Sequence, residues 1–94
     1  MSICNIEHWP SVYIKMEGVI NSELYEQFKK NIQLVLNECK KRNQKCLLYL
    51  DFLKITDYKY YYIYKVINHL SKLEKELDTN IKSIKITTNK KWEK

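Results

Sequence analysis

The residues best suited to recognition chemistry form one run in the middle of the chain, from Tyr58 to Tyr64, and five of these seven residues are tyrosines. A tyrosine combines a large apolar ring with a hydroxyl group, which suits a protein interface. On a helix, Tyr61 and Tyr64 form one surface pair and Tyr58 and Tyr62 another. We predict that these four tyrosines bind a protein partner. The alternative is that the rings cover the edge of a small core.

Two carboxylates and a hydroxyl group lie just before this run. Asp51 and Asp57 flank a predicted turn from strand to helix, at the carboxyl edge of the sheet, where α/β folds usually bind ligands. Phosphate or metal chemistry would use such carboxylates. We favour turn formation by Asp51 and helix capping by Asp57 or Thr56, because caps are ordinary features of helices. Asp51, Thr56 and Asp57 are included in the predicted partner-binding site.

No pattern typical of an enzyme accompanies these residues. The sequence lacks a Ser/His/Asp order, HExxH, CxxC and a glycine-rich phosphate loop, since Gly18 is its only glycine. His8 and His69 are too few and too far apart for a recognisable metal motif. Cys39 and Cys46 continue apolar stripes, where a reduced thiol acts as a small hydrophobe. We predict a non-enzymatic protein with no catalytic residue, no metal and no cofactor.

Length and charge allow one further class of partner. The 94 residues are enough for one domain, and 17 Lys+Arg against 11 Asp+Glu give a net charge of +6. Arg42 is the only arginine, although arginine is the residue that clamps phosphates and reads guanine. Residues 79–94 hold five cations and one anion, whereas the rest is nearly balanced. Nucleic acid is therefore the second hypothesis. Its predicted contacts are Lys82, Lys85, Lys90, Lys91, Trp92 and Lys94.

The sequence gives no sign of a membrane segment. No apolar stretch approaches the ~18 residues that cross a bilayer, and no basic residue leads an apolar run of the signal-peptide type. Three cysteines without a CxxC pattern fit a reducing compartment. We expect a cytoplasmic protein without membrane insertion. A homodimer, through a strand edge or the tyrosines, is a third hypothesis.

Hydrophobic periodicity predicts the elements that position these residues. Residues 3–9 are consistent with a short first strand, and residues 11–17 alternate as a half-buried strand does. Residues 22–42 carry a continuous helical stripe, with Asn21 or Ser22 as the cap and basic residues in the last turn. The stripe consists of Leu24, Phe28, Ile32, Val35, Leu36 and Cys39.

The second half repeats the alternation of strand and helix. Residues 46–50 are apolar on both faces, as in a covered central strand. A helix is predicted over residues 57–77, and residues 81–87 form a last strand with Ile84 and Ile86 on one face. The core stripe predicted for the second helix is Ile63, Val66, Ile67, Leu70, Leu73 and Leu77.

The order β(β)αβαβ predicts an α/β fold. Strands alternating with helices form a small mixed, mostly parallel sheet of three or four strands, joined by right-handed crossovers. The two helices then lie either on one face or one on each. We expect residues 1–94 to form a single domain, with a core over residues 11–87 and a basic tail over residues 88–94.

Two segments resemble a known family. In residues 16–20, Met-Glu-Gly-Val-Ile, a strand ends in a glycine turn before the first helix. In residues 48–57, Leu-Tyr-Leu-Asp-Phe-Leu-Lys-Ile-Thr-Asp, a hydrophobic strand runs into a turn of the Asp-Leu-Ser type. Both resemble the STAS domain, the module shared by sulphate transporters and anti-sigma-factor antagonists. Over residues 11–87 this resemblance implies a STAS-like fold and a regulatory function in signalling.

The resemblance also implies partners and site residues. STAS-like proteins face a protein partner with the start of the second helix, so a regulator, a kinase or a sigma-factor regulator is expected here. Related bacterial phosphoproteins have a Ser/Thr-rich turn and a following lysine, and Thr56 and Lys59 fall near those positions. Thr56 is thus the implied phosphorylation site. Tyr60, Tyr61 and Tyr62 replace the serine of the antagonists, which argues against ordinary serine phosphorylation.

Overall fold

The computed structural model describes residues 2–57 and 60–87. Strands β1 to β4 form one sheet in the order β1-β2-β3-β4, with β1 antiparallel to β2 and the other pairs parallel. This architecture confirms the predicted α/β class with a small, mostly parallel sheet. The elements are β1 (Ser2–Asn5), β2 (Ser11–Val19), α1 (Ser22–Arg42), β3 (Cys46–Asp57), α2 (Tyr60–Lys72), α3 (Glu74–Asn80) and β4 (Ile81–Thr87).

Helix α1 begins and ends where its sequence predicts. The Asn21 side chain accepts a hydrogen bond of 2.9 Å from the backbone N–H of Leu24 and caps the first turn. At the other end Asn43 adopts the left-handed conformation with φ 50, and its N–H donates to the Lys40 carbonyl. The whole predicted apolar stripe of this helix is buried: Leu24, Phe28, Ile32, Val35, Leu36 and Cys39.

Helices α1, α2 and α3 lie on the same face of the sheet. Two crossovers of the same hand between neighbouring strands place their helices on the same side, and α1 contacts both α2 and α3. Val12, Ile14 and Met16 point to that side and are buried, whereas Tyr13 and Tyr49 point to the other. We call the side without helices the open face. The register places these residues on it: Ile3, Asn5, Tyr13, Lys15, Tyr49, Asp51, Ser83, Lys85 and Thr87.

The single helix predicted over residues 57–77 is two helices in the structure, α2 and α3, and the predicted start at residue 57 is wrong. Strand β3 continues to Asp57, and α2 begins at Tyr60. At Leu73 the chain turns from α2 into α3, which continues past the predicted helix end at residue 77 to Asn80. The periodicity did not show this junction, because Leu70, Leu73 and Leu77 keep helical spacing across it.

Strand β3 is longer than predicted because it contains bulges. The expected strand ended at Leu50, after which the alternation of apolar residues is lost. In the structure Phe52 and Ile55 are both buried although they are three positions apart. The register between β2 and β3 shifts twice within this segment. Each shift adds a residue that breaks the two-residue period, so a strand continues where the alternation stops.

The helices cover only the start of the outer strand, where Ile81 is buried. Ile84 and Ile86 pair with Leu48 and Leu50 on the helix side, yet 39% and 50% of their side chains are exposed. Ile67 of α2 was predicted in the core stripe and is 59% exposed, because it faces this uncovered strip. We call the resulting depression of about 410 Å³ the β4 groove. Its apolar lining is Ile67, Leu70, Leu77, Ile84 and Ile86, and the polar residues Ser71, Glu74 and Asp78 also line it.

Candidate protein-binding site

The carboxyl ends of β2 and β3 form the edge from which α1 and α2 begin. Gly18, near the end of β2, has φ 96, a left-handed conformation that glycine adopts without strain. Gly18 pairs with Ile55, and Val19 pairs with Asp57, so Thr56 is the extra residue of a β-bulge. Thr56 is exposed there. The predicted capping of a helix at residue 57 by Thr56 or Asp57 is wrong, because both residues belong to β3.

Asp51 lies away from this edge, which corrects its predicted place in the turn. It lies inside β3, opposite Lys15 of β2, on the open face. Its carboxylate accepts a hydrogen bond of 3.0 Å from the backbone N–H of Leu53. The next pair after Lys15 and Asp51 is Glu17 and Lys54, so β3 uses one residue more than β2 at this point. Asp51 therefore stabilises a bulge in the strand.

The first turns of α2 carry the tyrosine cluster, which we define as Tyr61, Tyr62 and Tyr64. Tyr61 is 64% exposed and Tyr64 is 69% exposed, as their helical positions predict. Tyr62 is half-buried and packs against the core. The rings of Tyr61 and Tyr62 meet edge to face with centroids 5.2 Å apart. The rings of Tyr61 and Tyr64 are thus exposed to solvent, and the ring of Tyr61 contacts that of Tyr62, which packs against the core.

Lys65 lies at the centre of the aromatic groups on this surface. Its Nζ is 5.0 Å from the ring centroid of Tyr25, 5.1 Å from that of Tyr61 and 5.7 Å from that of Tyr62. These distances are within the range in which a cation is attracted by an aromatic face. Sequence reasoning did not include Lys65 or Tyr25. The signal was the spacing, since Lys65 follows Tyr61 by four positions and Tyr62 by three.

His69 extends the same surface toward α1. Its ring meets that of Tyr25 edge to face, with centroids 6.4 Å apart. Burial, followed by the positive charges of Lys29 and Lys72, lowers the pKa of His69. The Nζ atom of Lys29 also lies over the Tyr25 ring, 4.7 Å from its centroid. The tyrosine cluster is therefore joined to α1 through Lys65, which lies over the ring of Tyr25 as well as over those of Tyr61 and Tyr62.

The remaining predicted residues of this site lie outside the described part of the chain. Tyr58 and Lys59 fall between β3 and α2. Of Asp57 and Tyr60 the description covers the backbone, which ends β3 and begins α2. The structure therefore places Thr56, Tyr61, Tyr62 and Tyr64 on neighbouring segments, and it separates Asp51 from them.

The residues predicted for nucleic acid are described only in part. Lys82 and Lys85 lie in β4 and are exposed, whereas residues 88–94, with Lys90, Lys91, Trp92 and Lys94, lie outside the described residues. Lys85 pairs with Tyr49, and Tyr49 pairs with Tyr13. The two tyrosine rings stack with centroids 4.9 Å apart and an interplanar angle of 14°. A stacked aromatic pair next to a lysine therefore stands on the open face, which sequence reasoning did not predict.

The cysteines lie in or against the core. Cys39 and Cys46 are buried free thiols, and Cys4 is partly buried. Burial, with a smaller contribution from the hydrogen bond to Cys39, raises the pKa of Cys46 to about 12. A thiol with this pKa stays protonated at neutral pH, and the thiolate is the nucleophilic form. Cys39 and Cys46 therefore act as packing residues of the core.

Comparison with known proteins gives no relative from which a site could be transferred. No family model matches the chain, and neither a curated protein nor a solved structure matches it. Among the described residues, no helix has the length and apolar content needed to cross a membrane. We therefore infer function from the geometry of the surfaces described above.

Proposed function

We propose that the chain is a small, non-enzymatic regulatory module of STAS-like type, which binds a protein partner through the carboxyl edge of β3 and the start of α2. The observation that carries this proposal is the exposure of Tyr61 and Tyr64 on the first turns of α2. The partner expected from the resemblance is a regulator, a kinase or a sigma-factor regulator in cytoplasmic signalling.

The physical support begins with the anchoring of the aromatic rings. Tyr61 contacts Tyr62, which itself packs against the core. Part of the cluster is therefore held before binding, so less rotamer entropy is lost when a partner covers it. Large rings with a hydroxyl tip are also the side chains most enriched among residues that dominate binding energy.

Electrostatics narrow the chemistry of the partner. Lys65 places a positive charge among three aromatic rings, and Lys29 lies over one of them, the ring of Tyr25. A partner that presents a carboxylate to Lys65 forms a charge-assisted hydrogen bond, while its apolar neighbours contact the rings. We therefore expect an acidic and apolar surface on the partner.

Thr56 supplies a place at which this binding could be regulated. It is exposed in the bulge at the end of β3, a few residues before Tyr61. Phosphorylation would add a charge of about −1.5 to −2 on the same edge of the sheet. Mass spectrometry after incubation with the cognate kinase should find phosphate on Thr56. An unmodified Thr56 under conditions in which the kinase is active would remove this part of the proposal.

A double substitution tests the binding site. The full chain, the variant Tyr61→Ala/Tyr64→Ala and the control Tyr13→Ala are used to capture partners from the native host. Tyr13 is a matched control because it is an exposed tyrosine on the open face, away from the helices. We expect roughly a tenfold or greater loss of capture for the double variant, with an unchanged Tm. Equal capture by all three proteins would refute the proposed site.

Nucleic-acid binding is the second candidate, and the stacked pair Tyr13–Tyr49 beside Lys85 is the observation that favours it. It ranks second because the open face balances its cations with anions. Lys15 forms an ion pair of 3.1 Å with Glu17, and Asp51 lies opposite Lys15 in the register. Single- and double-stranded probes at low salt decide the matter, since phosphate binding weakens steeply as salt is added. No shift of either probe would exclude this candidate.

A further inference from the structure

We propose that the outer edge of β4, together with the β4 groove, binds an extended segment of a partner protein as an added β-strand. The bound segment carries apolar side chains toward the groove and acidic side chains toward the open face. This surface is separate from the tyrosine cluster, so it adds a second binding site to the proposed function.

The first argument is the free edge itself. Among the described residues, β4 is the last strand of the sheet, and its outer side pairs with no other strand. Every second residue of an edge strand directs its N–H and C=O away from the sheet. The opposite edge strand, β1, has 4 residues, whereas β4 has 7. β4 thus offers the longer row of backbone donors and acceptors.

The second argument is the groove that runs along this edge on the helix side. Ile84 and Ile86 point into it, and Ile67 of α2 forms the opposite wall. Side chains of an added strand alternate between the two faces of the sheet. Those on the helix side would lie over the groove, whose volume of about 410 Å³ accommodates apolar side chains. Binding would cover three isoleucines that are now 39% to 59% exposed.

The third argument is charge, which defines the other side of the bound segment. Lys85 points to the open face between Ser83 and Thr87, and Lys82 is exposed near the start of the strand. β4 itself contains no acidic residue. An acidic side chain on the open-face side of the added strand would lie beside Lys85, and opposite charges across strands stabilise pairing.

The same lysines disfavour a second copy of this chain as the occupant. If two β4 strands pair antiparallel about Ile84, the two-stranded ribbon holds Lys82 and Lys85 from both copies, which is four cations and no anion. In this register the two Lys85 side chains are diagonal neighbours on the open face, where like charges repel, and lysines on edge strands commonly prevent self-association. The edge therefore selects a different protein, with a complementary acidic strand.

Two synthetic peptides test the proposal with the full chain. One alternates valine and glutamate over seven residues, and the other alternates valine and lysine. Fluorescence polarisation should show binding of the glutamate peptide, with the lysine peptide roughly tenfold weaker or more. The variant Lys85→Glu should reverse this preference. Ile67→Ser should weaken the glutamate peptide, while Tyr61→Ala/Tyr64→Ala should leave it unchanged, which separates this site from the tyrosine cluster.

A measurement on the unaltered protein guards against variants that fail to fold. Backbone amides of β4 should exchange with solvent more slowly when the glutamate peptide is present, and those of β1 should not change. Equal binding of the two peptides, no measurable binding of the glutamate peptide, or protection confined to β1 would overturn the proposal. A wild-type dimer in sedimentation that Ile84→Asp dissociates would overturn it as well, because the edge would then belong to a second copy.

Discussion

The apolar stripe of α1 and the apolar stripe of α2 and α3 face the same side of the sheet but are buried to different extents. The stripe of α1 lies over the inner strands, and all six of its predicted residues are buried. The stripe of α2 and α3 buries Val66 and Leu77, whereas Ile67 remains mostly exposed beside β4. Helix α1 contributes most of the helical part of the core, whereas α2 and α3 carry the tyrosine cluster and one wall of the β4 groove.

The difference shows that an amphipathic stripe predicts which side of a helix faces the sheet, but not how far the sheet is covered. The apolar residues of a helix are buried where the sheet lies directly opposite them. Beside α2 the outer strand extends beyond the helices, so apolar side chains of both elements stay in water. The residues that stabilise the fold and the residues that we propose to bind partners therefore lie in different parts of one small domain. The following predictions test this division, beginning with the largest expected effect.

Truncating one apolar residue of α1 and one of α2 should give the largest difference in the free energy of unfolding. Phe28 is fully buried and meets Phe52 edge to face, with centroids 6.1 Å apart. We expect Phe28→Ala to lower the free energy of unfolding by about 3–5 kcal/mol. Ile67→Ala should change it by about 0.5 kcal/mol or less, since the residue is mostly exposed. Urea denaturation of both variants provides the measurement, and similar losses would contradict the division.

Removal of the cap of α1 should have an intermediate effect. The side chain of Asn21 accepts the hydrogen bond from the N–H of Leu24, which would otherwise lose its partner. We expect Asn21→Ala to lower the free energy of unfolding by about 1 kcal/mol. Asn21→Ser is the matched control, because serine keeps an acceptor at this position. If the alanine and serine variants had equal midpoints in urea, α1 would not depend on its cap.

The smallest effect concerns His69, at the contact between α1 and α2. Burial and the charges of Lys29 and Lys72 lower its pKa, so the unfolded chain binds more protons near pH 6 than the folded chain does. The resulting contribution to stability is fully present above about pH 6.5 and is lost as pH falls through the folded pKa. We expect His69→Gln to flatten this part of the stability curve in urea titrations, and an unchanged slope in this variant would contradict the prediction.

The sequence predicted the fold best where one element provided its own signals. In α1 the stripe, the cap at Asn21 and the basic last turn all indicate the same helix, and the structure agrees. The order and mixed direction of the strands follow from the alternation of elements. The junction at Leu73 was not predictable, because periodicity continues across it. The exposure of Ile67 depends on how far two layers overlap, which is a tertiary property.

The candidate site was predictable to a similar extent. Helical geometry was sufficient to place Tyr61 and Tyr64 on the surface of α2. The position of Asp51 was wrong, because a bulge extended β3 past the expected turn. The spacing of Lys65 from Tyr61 and Tyr62 could have predicted its contacts with their rings, whereas its contact with Tyr25 of α1 could not be predicted in that way. Contacts between distant elements are the information that spacing along a single segment does not contain.

The two bulges of β3 bear on how chain length can vary over evolution. Between Asp51 and Lys54 strand β3 has one residue more than β2, and Thr56 lies opposite no residue of β2. A homologue lacking one residue in either bulge would form a regular strand with the same end point, so gaps in an alignment should concentrate there. Loss of Thr56 would keep the sheet intact and delete the exposed hydroxyl group at its edge.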